Sequence, residues 1–291
     1  MTENSGNDVP REAPAKILWG MRYLLARRMT QIGILFLFSG ALLWDWRVLR
    51  GNLSASWLFE AIPLADPFAV LQIFFAGQSL EGDVLWGVLI VILFYALVGG
   101  RVFCSWVCPM NMVTDLAAWT RRKLNIRSAY QLNRSLRWVA MFTALLLSAL
   151  TGVAAFEWIS PVSGLHRELV FGLGIGWTAV FGIFLFDLLL VRHGWCGHLC
   201  PLGAFYSLLG VFRLPRIRFD ADSCDQCGQC HRICPEPHVL NLSELRAAGR
   251  VNSRDCTNCL RCTTLCPQDS LALGLVNPLT DLQQIETKEV S

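Results

Sequence analysis

Charge is scarce in this sequence. Only 16% of its 291 residues are Asp, Glu, Lys or Arg, and 54% are hydrophobic; the mean hydropathy is +0.43. Soluble globular chains carry roughly 25% charged residues, so the composition argues against an ordinary soluble protein. The net charge is a small +3, which gives no electrostatic reason to expect a nucleic-acid partner. A secretory cleavage pattern is missing as well: the first apolar run is long and no A-x-A site follows it, so no cleaved leader is expected. A secreted disulfide scaffold would be small and loop-rich, which this chain is not.

What the chain does have is cysteine, twelve of them, in two kinds of repeat. One copy of the first kind reads Cys224-Asp-Gln-Cys227-Gly-Gln-Cys230-His-Arg-Ile-Cys234-Pro235; the other reads Cys256-Thr-Asn-Cys259-Leu-Arg-Cys262-Thr-Thr-Leu-Cys266-Pro267. Both have the spacing C-x2-C-x2-C-x3-C-P of bacterial [4Fe–4S] ferredoxins. Three thiolates on a tight loop cap three corners of a cubane, and the fourth, set before a proline, reaches the other cluster. The spacing therefore predicts two sites: Cys224, Cys227 and Cys230 with Cys266, and Cys256, Cys259 and Cys262 with Cys234. Zinc needs only four ligands per site and usually pairs two C-x2-C knuckles across a long gap. Two complete four-cysteine copies point instead to electron transfer. So many thiols are hard to keep reduced in an oxidising compartment, so residues 224–267 are expected to face the cytoplasm.

Four apolar runs precede this domain, at residues 29–46, 84–100, 138–156 and 169–191. Each is close to the roughly 20 residues that a transmembrane helix needs, and four in one chain predict spans. Bases orient them. Arg22, Arg27 and Arg28 precede the first run; Arg101, Arg121, Arg122, Lys123, Arg127, Arg134 and Arg137 lie between the second and third; Arg192, Arg213, Arg216 and Arg218 follow the fourth. Both termini and the central loop are thus expected in the cytoplasm, with loops 47–83 and 157–168 outside. Residues 57–75 are apolar but broken by Pro63 and Pro67, which suits packing over the bundle, or one wall of a lipid-soluble substrate pocket, better than a further span.

The second cysteine repeat sits after the second and fourth runs, as Cys104-Ser-Trp-Val-Cys108-Pro and Cys196-Gly-His-Leu-Cys200-Pro. The membrane part therefore reads as two parallel two-helix units. C-x3-C on a helix puts two thiols on one face, about 6 Å apart. Pseudo-symmetry could bring Cys104, Cys108, Cys196 and Cys200 together, as ligands of a further metal centre, as redox-active dithiols, or as structural residues. His198 and His193 are candidates for taking a proton from a quinol or for ligating a metal, or are plain interfacial polar residues. Asp187, one turn inside the fourth run, is an intramembrane carboxylate and so a proton-handling candidate; an ion pair with Arg192 or His193 is the alternative. Glu60, Asp66 and Glu157 read as solvated, and His231 and His238 as surface residues. The expected organisation is an all-α bundle of four transmembrane helices, in two pseudo-repeated hairpins, plus a small α+β bacterial-ferredoxin-like domain for two [4Fe–4S] clusters. Its parts are a cytoplasmic tail 1–28, disordered over 1–16, the bundle 29–218, the cluster domain 219–275 and a flexible tail 276–291.

These motifs together resemble the NapH family, over about residues 30–270. The resemblance is carried by Phe103-Cys104-Ser-Trp-Val-Cys108-Pro, His193-Gly-Trp-Cys196-Gly-His-Leu-Cys200-Pro, Ile233-Cys234-Pro-Glu-Pro-His238-Val-Leu and the two ferredoxin runs. Smaller likenesses are Gly51-Asn, Pro63-Leu-Ala-Asp-Pro67 and Trp158-Ile-Ser-Pro161. It implies a multi-pass protein of the bacterial inner membrane, one subunit of a quinol dehydrogenase rather than a stand-alone enzyme. Membrane quinol would be the electron donor. A NapG-like periplasmic iron–sulfur protein, and other components of a periplasmic nitrate reductase system, would receive the electrons. Two other readings stay open: a maturation or reactivation factor supplying electrons for metal-centre assembly, and a redox-sensing membrane ferredoxin.

Overall fold

The computed structural model describes residues 14–126, 130, 132–171, 174 and 176–275; the expected tails at 1–13 and 276–291 lie outside the described residues. Helix α1 (Pro14–Leu43) starts well before the first apolar run and carries it as far as Leu43, so residues 14–16 are helical. Three short strands follow, β1 (Leu49–Gly51), β2 (Ala55–Leu58) and β3 (Ile62–Ala65), paired antiparallel in that order with Arg50 opposite Trp57 and Trp57 opposite Pro63. Pro63 is tolerated because β3 is an edge strand. Asp66 then caps α2 (Pro67–Phe75), accepting the Ala69 amide at 3.1 Å, with Pro67 in the first turn where its missing N–H is not needed. The proline-broken segment is thus a small sheet and a buried helix: Phe68 is fully buried, its ring 5.8 Å from Phe156 and 5.6 Å from Phe205.

The bundle continues with α3 (Gly82–Val98), α4 (Met110–Lys123), α5 (Leu136–Thr151), α6 (Ala155–Ile159), α7 (Pro161–Phe171), α8 (Gly176–Leu189) and α9 (Pro201–Leu209). A π-helical turn precedes α4, at Phe103–Val107, and another precedes α9, at Trp195–Leu199. The fourth apolar run is not one helix: it is divided between the end of α7 and α8, and the Gly176 amide donates to Glu168 at 3.1 Å. Among the described residues no helix is long and apolar enough to cross a membrane.

The two units interlock. α1 packs on α7 as α5 packs on α2, and α4 packs on α8 as α9 packs on α3. Two glycines permit the closest approaches. A Cβ on Gly87 would sit 3.1 Å from the β3 backbone at Pro63 and Ala65, and one on Gly100 would sit 1.7 Å from the Tyr206 carbonyl oxygen. Gly100 therefore lets the mouth of one unit touch the last helix of the other.

The C-terminal domain is built on β4 (Pro215–Phe219), paired antiparallel with β5 (Leu271–Leu275) so that Ile217 faces Leu273. Between them lie α10 (Gln229–Ile233), α11 (Leu242–Ala248) and α12 (Arg261–Thr264). Its core is Ile217, Leu240 and Val251, each 1% exposed, packed with Cys234 and Cys262.

Candidate metal centres

The two ferredoxin runs fold alike. In the first, Gln226 and Gly228 are left-handed (φ 59° and 70°); in the second, Asn258 and Leu260 occupy the same offsets (φ 46° and 59°). Alternating right- and left-handed residues turn successive amides inward and form a concave anion-binding nest, the backbone form suited to an iron–sulfur centre. Cys224, Cys227, Cys230 and Cys266 line one cavity of about 100 Å3. Cys234, Cys256, Cys259 and Cys262 line a second, tighter one of about 20 Å3. Among the described residues no group of His, Cys, Asp and Glu gathers tightly enough for a single metal ion, so the sets surround their cavities rather than close on one atom. Four thiols around a pocket, with inward amides, fit a cubane cluster. The environments differ: Cys227 is exposed, whereas Cys234, Cys259 and Cys262 are buried.

The C-x3-C-P motifs form a third set. Each first cysteine lies in its π-helical turn, and each turn is closed by the second cysteine: the Cys108 amide donates to Phe103 O, and the Cys200 amide to Trp195 O, both at 2.9 Å. The motif is thus a π turn rather than a regular α-helical pair, a distortion common at functional sites. Pro109 caps α4 and Pro201 starts α9, and amides of each first turn point at the second sulfur, from Met110 and Asn111 onto Cys108 and from Leu202 and Gly203 onto Cys200. Every pair among Cys104, Cys108, Cys196 and Cys200 lies within electrostatic reach. Burial pushes the Cys200 thiol up to about 12. Helix amides aimed at sulfur, with Arg101 hydrogen-bonded to Cys104, suit thiolates held by a metal cluster.

His193, Cys104, Cys196 and Cys259 line one small cavity between this set and the second ferredoxin set. His193 is 3% exposed with Nε2 unpartnered, and burial lowers its pKa to about 3, so it is neutral. His198 is half-buried with Nδ1 unpartnered, and burial lowers its pKa too. Asp187 is fully buried and accepts the Trp195 amide at 3.0 Å, bracing the second π turn. Arg192 reaches elsewhere, donating to the Cys234 carbonyl at 3.2 Å.

Sequence reading missed the buried charges that clamp the cluster domain to the bundle. Arg101, 1% exposed, donates to Glu236 at 2.9 Å, to the Asp255 carbonyl at 2.9 Å and to the Cys196 carbonyl at 3.1 Å. Arg137 pairs with Asp255 at 2.7 Å, and His238 with the other Asp255 oxygen at 3.0 Å. His231 meets the Leu240 carbonyl at 2.5 Å. His238 is exposed at the surface, as expected, while reaching Asp255, and His231 is half-buried. Asp66, expected to be solvated, accepts from Tyr206. The available signal was Pro-Glu-Pro-His beside Cys234, with Arg101 three residues before Cys104.

A family of 4Fe-4S binding domains matches residues 83–127 and 170–219, the stretches that carry the C-x3-C-P motifs, and a 4Fe-4S dicluster domain family matches residues 216–267. The chain is 43% identical over 272 residues to the ferredoxin-type protein NapH of Escherichia coli (strain K12), covering 91% of this chain and 94% of that one. To NapH of Haemophilus influenzae it is 44% identical, covering 86% and 90%. To the methylamine utilization ferredoxin-type protein MauN of Paracoccus denitrificans it is also 44% identical, covering 81% and 84%. No solved structure matches the chain at a significant level.

Proposed function

Because this chain belongs to the NapH family of ferredoxin-type iron–sulfur electron-transfer proteins, we propose that it is a membrane relay, oxidising quinol as part of a dehydrogenase complex. The observation that carries the reading is the order of the three cysteine sets. The Cys224 set lies toward solvent and the Cys234 set is buried behind it. Cys259 of that second set shares a cavity wall with Cys104 and Cys196 of the bundle. Two [4Fe–4S] clusters in the ferredoxin domain and a third centre at Cys104, Cys108, Cys196 and Cys200 would make a continuous series of one-electron stations. When bound, the clusters supply the electron chemistry; the chain's residues hold them, exclude water and set their surroundings.

Residence in the bacterial inner membrane is supported by side chains turned outward. Leu85, Trp86, Leu89, Leu93 and Phe94 of α3, and Val139, Phe142, Leu146 and Leu150 of α5, are all more than half exposed. Apolar helix faces of this kind need lipid or protein against them. In this reading the helices span together with their flanking segments, and the bases of α4 and the cluster domain stay on the cytoplasmic side. The bond from Tyr206 to Asp66 links the region of the third set to the outer segment, the direction in which electrons would leave for a NapG-like partner. The likeness to NapH over most of both chains supports a nitrate reductase system as the destination.

Quinol titration of the anaerobically purified, full-length protein, followed by paramagnetic resonance, tests this. The expected result is reduction of the clusters by quinol. A protein whose clusters accept electrons from dithionite but never from quinol is not a quinol-oxidising relay, and the maturation and sensor readings then lead.

A further inference from the structure

The two ferredoxin cysteine sets sit in opposite electrostatic surroundings. Around the buried set of Cys234, Cys256, Cys259 and Cys262 the prevailing charges are arginines. Arg261 lines its cavity, and Arg27 shares with Cys259 the wall of the neighbouring one. Arg192 donates to the Cys234 carbonyl at 3.2 Å. Arg213 donates to the Val251 and Ser253 carbonyls, both at 2.8 Å, and lies within electrostatic reach of Cys256. Arg27 and Arg213 are 1% and 2% exposed, and the Arg261 side chain 14%.

Acidic side chains do not cancel this charge. One carboxylate, Asp115, faces Arg27, Arg28 and Arg261 together. Glu236 and Asp255, the other acids of this interface, already face Arg101, Arg134 and Arg137. Arg192 and Arg213 make their bonds to neutral carbonyls. The set of Cys224, Cys227, Cys230 and Cys266 is the reverse. Cys227 is exposed, as are Asp220, Asp222 and Asp225 on or beside its loop. Asp225 lines that cavity, and among the described residues no arginine does.

Reduction adds one negative charge to a cluster, and nearby charge and solvent exposure set the potential at which it happens. Burial by itself resists the added charge. The same burial leaves the arginines almost unscreened, whereas water screens the exposed aspartates of the other set. We infer that the arginines prevail, and that Arg27, Arg192, Arg213 and Arg261 hold the potential of the buried centre above that of the solvent-side centre. This ordering rests on the reading of the chain as an iron–sulfur relay and gives the relay a direction. An electron on the Cys224 centre passes to the Cys234 centre, which oxidises the first by one electron and reduces the second by one. It then rests beside Cys104 and Cys196, away from acceptors dissolved in water.

The test is a mediated dithionite titration of the full-length, cluster-containing protein in lipid nanodiscs, followed by paramagnetic resonance. Signals are assigned by their loss in Cys234→Ala and in Cys266→Ala. The Cys234 centre should be reduced before the Cys224 centre. Arg192→Gln keeps a donor for the Cys234 carbonyl and removes the charge. It should shift the electron about tenfold toward the Cys224 centre, or about 59 mV for one electron, with iron and sulfide content as in the parent. Arg192→Lys keeps the charge and should leave the partition unchanged. Should Arg192→Gln lose clusters, Asp115→Asn gives a test of opposite sign, because removing that carboxylate should raise the buried centre further. Earlier reduction of the Cys224 centre, or equal shifts in Arg192→Gln and Arg192→Lys, would overturn the ordering. A protein that quinol never reduces, but whose buried centre fills first from dithionite, keeps the ordering and sinks the relay. The reverse order in a protein that quinol does reduce keeps the relay and sinks the ordering.

Discussion

Tyr206 donates a 2.9 Å hydrogen bond to Asp66 Oδ1, joining α9, behind the second C-x3-C-P turn, to the residue that caps α2. Tyr206 is itself 1% exposed, its ring stacked on Phe103 at 4.8 Å and edge-on to Tyr95 at 5.1 Å. One phenol therefore couples the segment of β1–β3 and α2 to the π turn that holds Cys104. Burial raises Asp66 to about 6, with the Tyr206 bond pulling the other way.

A raised acid binds its proton more tightly when folded, so Asp66 favours folding most below about pH 4. That contribution disappears as pH climbs through about 6. The interval corresponds to about 3 kcal/mol for this one group. Tyr206→Phe removes a bond that favours the ionised carboxylate, at a cost of about 1.5–3 kcal/mol when Asp66 is charged and about 1 when it is neutral. Denaturant unfolding in detergent should show a larger loss for this variant at pH 8 than at pH 4. Equal losses at the two pH values would mean that Asp66 does not change its ionisation between them.

The Arg101–Glu236 pair gives a prediction about assembly. Both side chains are buried, at 1% and 4% exposure, and breaking a buried pair by removing one partner costs about 3–5 kcal/mol. Arg101→Leu should loosen the cluster domain and make the connection around residues 210–215 accessible to protease. Arg101→Lys should rescue only part of this, because three acceptors in different directions need the planar guanidinium. Limited proteolysis of the two variants beside the parent protein makes the comparison.

The sequence was most legible where chemistry fixes spacing. Eight cysteines at fixed intervals predict which thiols share a cavity, because loop length alone decides which sulfurs can reach one another. The outer sheet was hidden because its β2–β3 turn places Phe59 and Glu60 in left-handed backbone, where a reader looks for Gly or Asn. The division of the run 169–191 was foreshadowed by its glycines, yet apolar residues on both sides masked it. Arg101, Arg121 and Arg137 were counted as loop charges that orient a membrane protein. In the structure they are buried at 1%, 4% and 3%; Arg101 and Arg137 spend donors on Glu236 and Asp255 across the domain boundary, and Arg121 spends its own on the Ile126, Asp187 and Leu190 carbonyls within the bundle. Hydropathy cannot separate a solvated arginine from one folded into an interface.

Chain crossing in the ferredoxin domain predicts an asymmetric outcome for its two proline-linked cysteines. Cys234→Ala should disturb the buried centre of Cys256, Cys259 and Cys262, with which Cys234 shares a cavity. Cys266→Ala should disturb the solvent-side centre of Cys224, Cys227 and Cys230. Paramagnetic resonance of the reduced variants should lose different signals in the two cases. Loss of one and the same signal in both would show that each run binds its own fourth cysteine.

The third set is decided by counting iron. Three cubane centres hold about twelve iron atoms per chain, and two hold about eight. Removal of one ligand from the bundle set, by Cys104→Ser or Cys196→Ser, should bring the anaerobically purified protein from the higher figure toward the lower. The spectroscopic signals of the ferredoxin pair should persist. Serine keeps the volume and polarity of each site, so the packing of Phe103 on Tyr206 and the Asp187 brace on the second π turn are left in place. If the parent protein already holds only about eight iron atoms, with four free thiols titratable after unfolding, then Cys104, Cys108, Cys196 and Cys200 are structural. The electrons must in that case leave the ferredoxin domain by another face.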